Sequence, residues 1–463
     1  MRKILALFMS CLICFIICGC DKAETNNLST EVVENNSIFT NLESNLPEIF
    51  YSNEDANIYY NDIVSLKSGG FVVVGDKNTD TLAKSFVRMY DEQMNLVAEN
   101  SDYGIGMGFD KVSVCDDGGI IVATSSTPYI MKLNSKLEKE WISNYEIIES
   151  SAVLHDIEQV STDCYAVLFD SVSSSKNGSR SLKITFLNNT GEVLGDEEIL
   201  FDNENVNADI IADGNGGFYI TAACDESVAE KYDLVAKVYD STKNSEAAVM
   251  HFSKDRELEW VATLGGNGDD WCEGGTVDSE GNIYVAVCTH SPERDSFWDM
   301  EPNVLEPCRS MLVKLNNDGE IVYKYMLSNK GTIPKRINED RIYKVGTYED
   351  AVYVVGISNY FDGIQEKYEC KQFLSSENSE NVFCIYIAAI DKDGKEIGRG
   401  IFRCDADIFM SSMNYGISAK YGAAILENDN IVICGSVSKD ENSFDVSFET
   451  NETRKAALYV YKK

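Results

Sequence analysis

Residues able to do chemistry are few and scattered along this chain. Three histidines, His155, His251 and His290, are all the imidazole in 463 residues. His251 alternates with Val249 beside Met250 and Phe252, which reads as a strand position with a structural role. His155 begins a repeat unit, and His290 opens a long insertion where a loop position suits ligand contact. Serine and aspartate are abundant, but no G-x-S-x-G elbow exists to hold a nucleophile on a sharp turn. DKDGKE at 391–396 begins like a calcium loop, yet Lys395 stands where a third ligand belongs and Gly394 comes too early. That stretch and NNDGE at 316–320 read better as hairpin turns. The GNGDD run ending in Asp269 and Asp270 offers adjacent carboxylates, a weak candidate site for Ca2+; no other cofactor is expected. None of the ten cysteines beyond Cys20 has the CxxC spacing of a zinc or redox site. Cys224, Cys288 and Cys434 sit at or near the ends of apolar runs, where a thiol behaves as a small hydrophobe.

Such residues need a scaffold, and a recurring phrase supplies one. It occurs seven times, as in IVSLKSGGFVVVG, GGTVDSEGNIYVAV and GAAILENDNIVICG. Each copy is an apolar strand, a turn of Gly, Asp, Asn or Ser, and a second strand rich in Val, Ile and aromatics, which is hairpin chemistry. The second strands begin at Phe71, Ile120, Tyr165, Phe218, Ile283, Val352 and Ile431, spaced 49, 45, 53, 65, 69 and 79 residues apart. A third strand follows each hairpin, as in YIMKLNSK or MLVKLNND, then a turn and a fourth, as in LEWVATL at 258–264. Four strands per unit at this period mark propeller blades. Seven third strands but six fourth strands can be counted, because the chain stops at Lys463. PEIFYSN at 47–53 precedes the first unit without a partner and is expected to complete the last one. The expectation is an all-β, seven-bladed β-propeller over residues 46–463, closed by that N-terminal strand. Sustained 3.6-residue periodicity is nearly absent, which disfavours helical and α/β alternatives.

GGNGDDWCEGGTVDSEGNIYVAV in the fifth unit resembles the bacterial extracellular propeller repeats of the SBBP and NHL kind, in which a glycine-rich lead precedes D-x-x-G-N-x-Y-V. The resemblance implies a binding or scaffolding propeller. It transfers no catalytic residues, because the family pattern consists of turn and core positions.

The growing period comes from insertions between second and third strands, at roughly 224–246, 289–310, 359–382 and 437–455. In an up-and-down blade these loops leave one face, where binding residues concentrate on a rigid scaffold. Phe297, Trp298 and Met300 in the fifth unit and Tyr360, Phe361, Tyr368 and Phe373 in the sixth stand among charges, as interface anchors do. With Trp271 they form the candidate binding face; the competing reading is that they pin their own loops to the blade edges. Cys308 and Cys370 fall in neighbouring insertions, either as a disulfide or as separate thiols.

The N-terminus addresses location. Arg2 and Lys3 precede an apolar run from Ile4 to Ile17, shorter than the roughly 18–20 residues of a membrane span. The flanks match a secretory signal over residues 1–19. Ile17-Cys18-Gly19-Cys20 resembles a bacterial lipobox, implying cleavage after Gly19 and diacylglycerol and palmitate-type acylation at Cys20. Each buried methylene of such chains contributes about 0.8 kcal/mol, so two or more chains anchor a domain durably. In a Gram-negative cell Asp21 resembles the signal for staying on the inner membrane, and in a Gram-positive cell it carries no such meaning; the expected location is the outer face of the cytoplasmic membrane. Residues 20–45 are polar and acidic, as in a flexible tether. The net charge of −36, without a basic cluster, excludes nucleic-acid partners. The expected function is a membrane-anchored extracellular binding or scaffold lipoprotein that captures a protein, peptide or glycan at the cell surface without turnover. The alternatives are a propeller hydrolase, lyase or quinone-dependent dehydrogenase, and a subunit of an envelope assembly complex.

Overall fold

The computed structural model describes residues 48–51, 57–78, 83–101, 103, 108–124, 129–143, 153–172, 180–194, 198–203, 208–224, 246–265, 270–289, 309–326, 340–358, 384–401, 423–425, 430–438 and 454–461. Everything described is strand or connecting turn, and no helix among these residues is long and apolar enough to cross a membrane.

The strands form seven four-stranded antiparallel sheets, each following the chain without crossover except the last. The first sheet is β2 (Asn57–Ser65), β3 (Phe71–Asn78), β4 (Ala83–Tyr90) and β5 (Leu96–Asn100). The second is β6 (Lys111–Val114), β7 (Ile120–Ala123), β8 (Ile130–Leu133) and β9 (Lys139–Ser143). The third is β10 (Val153–Ser161), β11 (Cys164–Val172), β12 (Arg180–Asn188) and β13 (Glu198–Asn203). The fourth is β14 (Ala208–Ala212), β15 (Phe218–Cys224), β16 (Glu246–Phe252) and β17 (Leu258–Leu264). The fifth is β18 (Asp270–Val277), β19 (Ile283–Thr289), β20 (Arg309–Leu315) and β21 (Ile321–Met326). The sixth is β22 (Asp340–Tyr348), β23 (Ala351–Ser358), β24 (Cys384–Asp391) and β25 (Glu396–Ile401). In the seventh, β26 (Ala423–Ile425), β27 (Ile431–Ser438) and β28 (Arg454–Tyr461) are joined by β1 (Glu48–Tyr51), the chain's first strand. β1 lies antiparallel to β28, with Glu48 opposite Val460 and Tyr51 opposite Ala457. Glu48–Tyr51, the described part of the 47–53 segment, therefore pairs with the strand expected.

Burial explains why second strands read as unbroken apolar runs instead of alternating. Successive sheets pack face to face, so both faces of a second strand are covered; all four residues of β7 are buried, as are those of β8. One cluster joins Val72 and Val74 of the first sheet to Val122 of the second. Others join Ile121 to Val167, Ala166 to Ile220, Tyr219 to Val285, and Tyr284 to Val354. Val432 and Cys434 of the seventh sheet pack against Ile58, Phe71 and Val73 of the first. Each fully buried Val or Ile contributes about 1.5–3 kcal/mol. The fourth strands are the exposed ones, as Leu96, Val97, Ile321 and Val322 show.

One turn device recurs at the third-to-fourth-strand hairpins and at the first hairpins of the fourth and fifth sheets. Asp278 at the β18–β19 hairpin accepts the amides of Glu280 and Asn282 on Oδ1. Asn316 at the β20–β21 hairpin accepts those of Asp318 and Glu320 in the same way. The residue before the last turn position is left-handed, which Gly281 and Gly319 adopt without strain. DKDGKE is such a turn: Asp391 Oδ1 is occupied by the amides of Asp393 and Lys395. At Gly319 a Cβ would meet the Trp260 ring at 2.7 Å, and Trp260 Nε1 donates to the Asn317 carbonyl at 2.8 Å. That contact latches the fourth sheet's outer strand to the fifth sheet's turn.

Deleting Glu48–Tyr51 removes the cover from the backbone edge of β28. A lower melting temperature and concentration-dependent association by light scattering are expected, since a bare strand edge templates pairing with other chains.

Candidate functional site

The first strands of the sheets lie side by side, β2 against β6, β6 against β10, and so on to β22, with β26 against β2. Their unpaired edges converge on a cavity of about 390 Å³. The side chains facing it follow from register. Asp62, Lys111, Asp156, Asp209, Gly274 and Lys344 are paired, respectively, with Val74, Ala123, Leu168, Thr221, Ala286 and Val355, the fourth residue of each repeat's second strand as counted above. Immediately before this position, four first strands bulge, at Asn61, His155, Glu273 and Tyr343, of which the last three line the cavity. A bulge twists the strand and re-aims the neighbouring side chain.

The carboxylates here bridge sheets. Asp62 Oδ2 accepts the amide of Val112 on the next first strand at 3.1 Å, while Oδ1 accepts its neighbour Ile63 at 2.9 Å. Asp156 Oδ2 accepts the amide of Ile210 at 3.1 Å, the same contact two sheets on. Its other oxygen lies 3.2 Å from Lys111 Nζ, and Asp209 Oδ1 lies 3.6 Å from that ammonium. Gly274 makes room for Asp209: a Cβ there would sit 2.5 Å from Asp209 Oδ2, and φ is +139°. Two residues further along β10, Glu158 accepts the Ser113 hydroxyl at 2.7 Å. Burial raises the Glu158 carboxyl to about 7, against the pull of the Ser113 bond. Lys344 is held above the usual lysine range: burial is the largest influence and works to lower it, but Asp62, Tyr353 and Asp209 together outweigh that cost. Tyr353 reaches the cavity from β23 by lying over Gly346, whose missing Cβ leaves space for the ring.

At the bulges, Asn61 donates to Asp76 at 3.2 Å and to the Phe109 carbonyl at 2.9 Å. His155 stands 3.3 Å from Asp170, the equivalent pair in the third sheet, so it lies within β10 and lines the cavity. Burial raises the Asp76 carboxyl to about 6, with Asp110 adding to the effect.

His251 has the structural setting expected of it. Its ring stacks on Tyr219 at 4.4 Å, between Asp213 at 3.4 Å and Glu259 at 3.0 Å. Lys132 occupies the equivalent place in the second sheet, with Asp117 and Glu140. Cys288 and Cys434 are buried, as are Cys115, Cys164 and Cys272. Trp271 is half-buried on β18; its Nε1 donates to Glu273 at 2.6 Å, and the Arg341 guanidinium lies 5.6 Å from its ring. Asp270 is fully buried at the start of β18. Among the described residues no cluster of three or more His, Cys, Asp or Glu is arranged to hold a metal. Cys20, Asp269, His290, Phe297, Trp298, Met300, Cys308, Tyr360, Phe361, Tyr368, Cys370 and Phe373 lie outside the described residues.

The cavity residues Asp62, Lys111, Asp156, Glu158, Asp209 and Lys344 were not singled out from sequence. For all but Glu158 the signal is an offset: Asp62, Lys111, Asp156 and Asp209 stand nine residues before the first apolar residue of the second strand, as Gly274 does, and Lys344 stands eight before.

No known family model matches the chain, and no curated protein sequence does. Solved structures do. A streptogramin B lyase is similar at 11% identity over 89% of this chain and 97% of that one, with a TM-score of 0.45. Virginiamycin B lyase from Staphylococcus aureus matches at 8% identity over 89% and 100%, with a TM-score of 0.44. A luciferin-regenerating enzyme matches at 12% identity over 77% and 98%, with a TM-score of 0.37. At these scores no activity passes from those proteins to this chain.

Two outcomes are expected. Gly274→Ala forces Asp209 aside and strains the backbone, lowering stability by about 1–3 kcal/mol in a denaturant titration. Asp76→Asn removes a carboxyl that folding must neutralise or charge at a cost. The folded value of about 6 exceeds the unfolded 3.8, so the cost is absent below 3.8, grows as pH rises between the two values and is constant above 6. The variant should therefore gain up to about 3 kcal/mol at pH 7.5, and the gain should fade towards pH 4 in a pH series of thermal melts.

Proposed function

We propose that the seven sheets are the blades of a seven-bladed β-propeller whose last blade is completed by β1. On this reading residues 1–19 are a lipoprotein signal, Cys20 carries the lipid, 20–45 form a tether, and the propeller stands on the outer face of the cytoplasmic membrane. It acts as a binding lipoprotein, capturing a protein, peptide or glycan over the face that carries the long insertions and the mouth of the central cavity. The observation that carries this reading is the convergence of charged side chains from successive first strands on one cavity of ligand size. Trp271 beside Glu273 is the described part of the aromatic face.

A hydrolase or lyase is a second reading, favoured by Glu158. A carboxyl near 7 beside the Ser113 hydroxyl can hold or release a proton at neutral pH. Turnover of any ester, glycoside or lactone that is lost in Glu158→Gln would establish it.

Two measurements test the first reading. Cys20→Ser should move the protein from the membrane fraction to the soluble one. Binding of the intact protein to peptide and glycan arrays should disappear on deletion of residues 359–382, with the thermal transition unchanged. Loss of folding on that deletion would make the insertion structural and refute the placement of the binding face.

A further inference from the structure

The central cavity is polar in a particular way. Most of its carboxylates are already engaged: both oxygens of Asp62 accept backbone amides, and Asp156 is shared between an amide and the Lys111 ammonium. Lys111 is itself divided between Asp156 and Asp209. Those groups hold the first strands together, and a ligand that took them would have to break that bridging.

Three groups are not spent this way. Among the described residues the Lys344 ammonium makes no hydrogen bond or salt bridge, although it lines the cavity and stays charged in the field of Asp62 and Asp209. The Tyr353 hydroxyl, laid over Gly346, likewise makes no hydrogen bond among the described residues. Glu158, on the third sheet, uses one oxygen for Ser113 and faces the same cavity, close enough for the Lys344 charge to act on it. Lys344 and Tyr353 can therefore donate to an anionic group, while Glu158 can accept from a cationic one.

Net charge decides between ligand classes. Five carboxylates and two ammonium groups line the cavity, so a simple anion would be repelled by the surplus acids, and a phosphate more so. A simple amine would leave the Lys344 ammonium buried against it without a partner. A small molecule bearing both charges meets neither penalty, and a volume of about 390 Å³ suits one of amino-acid to dipeptide size. We propose that the central cavity binds a small zwitterion of the amino-acid class, its carboxylate on Lys344 and Tyr353 and its ammonium on Glu158. This rests on the reading of the chain as a binding propeller, and it assigns the ligand of the cavity rather than of the outer loops.

The probes are the twenty amino acids and their simple dipeptides. Each is compared with its decarboxylated amine and its N-acetyl derivative, and inorganic phosphate is run alongside. All are titrated calorimetrically into the intact protein in detergent at pH 7.5. At least one zwitterion should bind, and removing either of its charges should weaken it tenfold or more. Lys344→Met should bind that zwitterion and its amine equally, and Lys344→Arg should recover part of the difference. Glu158→Gln should bind the zwitterion and its N-acetyl derivative equally. Melting curves of each variant separate loss of the site from loss of the fold. The proposal is overturned if no zwitterion binds below 10 mM (a threshold on the order of the weakest useful affinity). It is overturned equally if phosphate or the bare amine binds as well as the zwitterion, or if Lys344→Met retains full affinity while folded. Failure on the peptide and glycan arrays with success here would remove the macromolecular partner and leave this site standing.

Discussion

Every sheet in this chain has an inner edge, and what happens to the amides along that edge constrains the rest. A first strand pairs on one side with its hairpin partner and on the other has, among the described residues, no strand to pair with. Buried amides left without acceptors each cost about 1–3 kcal/mol. The chain answers with aspartate: Asp62 takes the amide of Val112 and Asp156 that of Ile210, each reaching from one sheet to the next. Satisfying the edge and joining neighbouring sheets are thus one interaction. Lys111 offsets the charge this accumulates, and Gly274 yields the space that Asp209 needs. The cavity's polarity is a by-product of holding strand edges apart without leaving them bare, and Lys344 is the group that this structural duty leaves over.

Away from the centre the logic is apolar and repetitive. Second and third strands are covered on both faces, and clusters such as that of Val72, Val74 and Val122 run between sheets. Outer strands are half wet, and their aromatics do the latching, as Trp260 does on the turn containing Gly319. The same five-residue turn serves the second hairpin of sheets one to six and both hairpins of the fourth and fifth, its first Asp, Asn or Ser accepting the amides that follow.

Much of this was legible in the residues. The turn glycines and the apolar runs at Phe71 to Ile431 locate the second strands, and the surplus third strand led to Glu48–Tyr51 as the partner of β28. His251 could be read as structural because it sits inside a continuous apolar strand, and DKDGKE as a turn because its ligand spacing fails. The cavity was hidden for a physical reason. Asp62, Asp156 and Lys344 follow bulges, where one extra residue breaks the two-residue alternation that tells inside from outside. In a chain with 76 acidic residues, a handful at equivalent positions do not stand out by type. Their common offset from the next strand distinguishes them, and it becomes visible once the hairpins are aligned with one another. The aromatic insertions are the reverse case: easy to pick out by composition, with positions that spacing alone cannot supply.

The pairing of β1 with β28 also sets an order of events during biogenesis. Glu48 and Val460 stand more than four hundred residues apart in the chain, so the ladder between them cannot form until the last strand has been synthesised. Sheets one to six can assemble from local hairpins as they emerge, but the seventh is a late, non-local step of the slow kind that high contact order imposes. Until then β28 and the first sheet present unfinished surfaces, and shortening the C-terminus by a few residues would leave the N-terminal strand without its template. The late step is therefore the meeting of β1 with β28, not the packing between the earlier sheets.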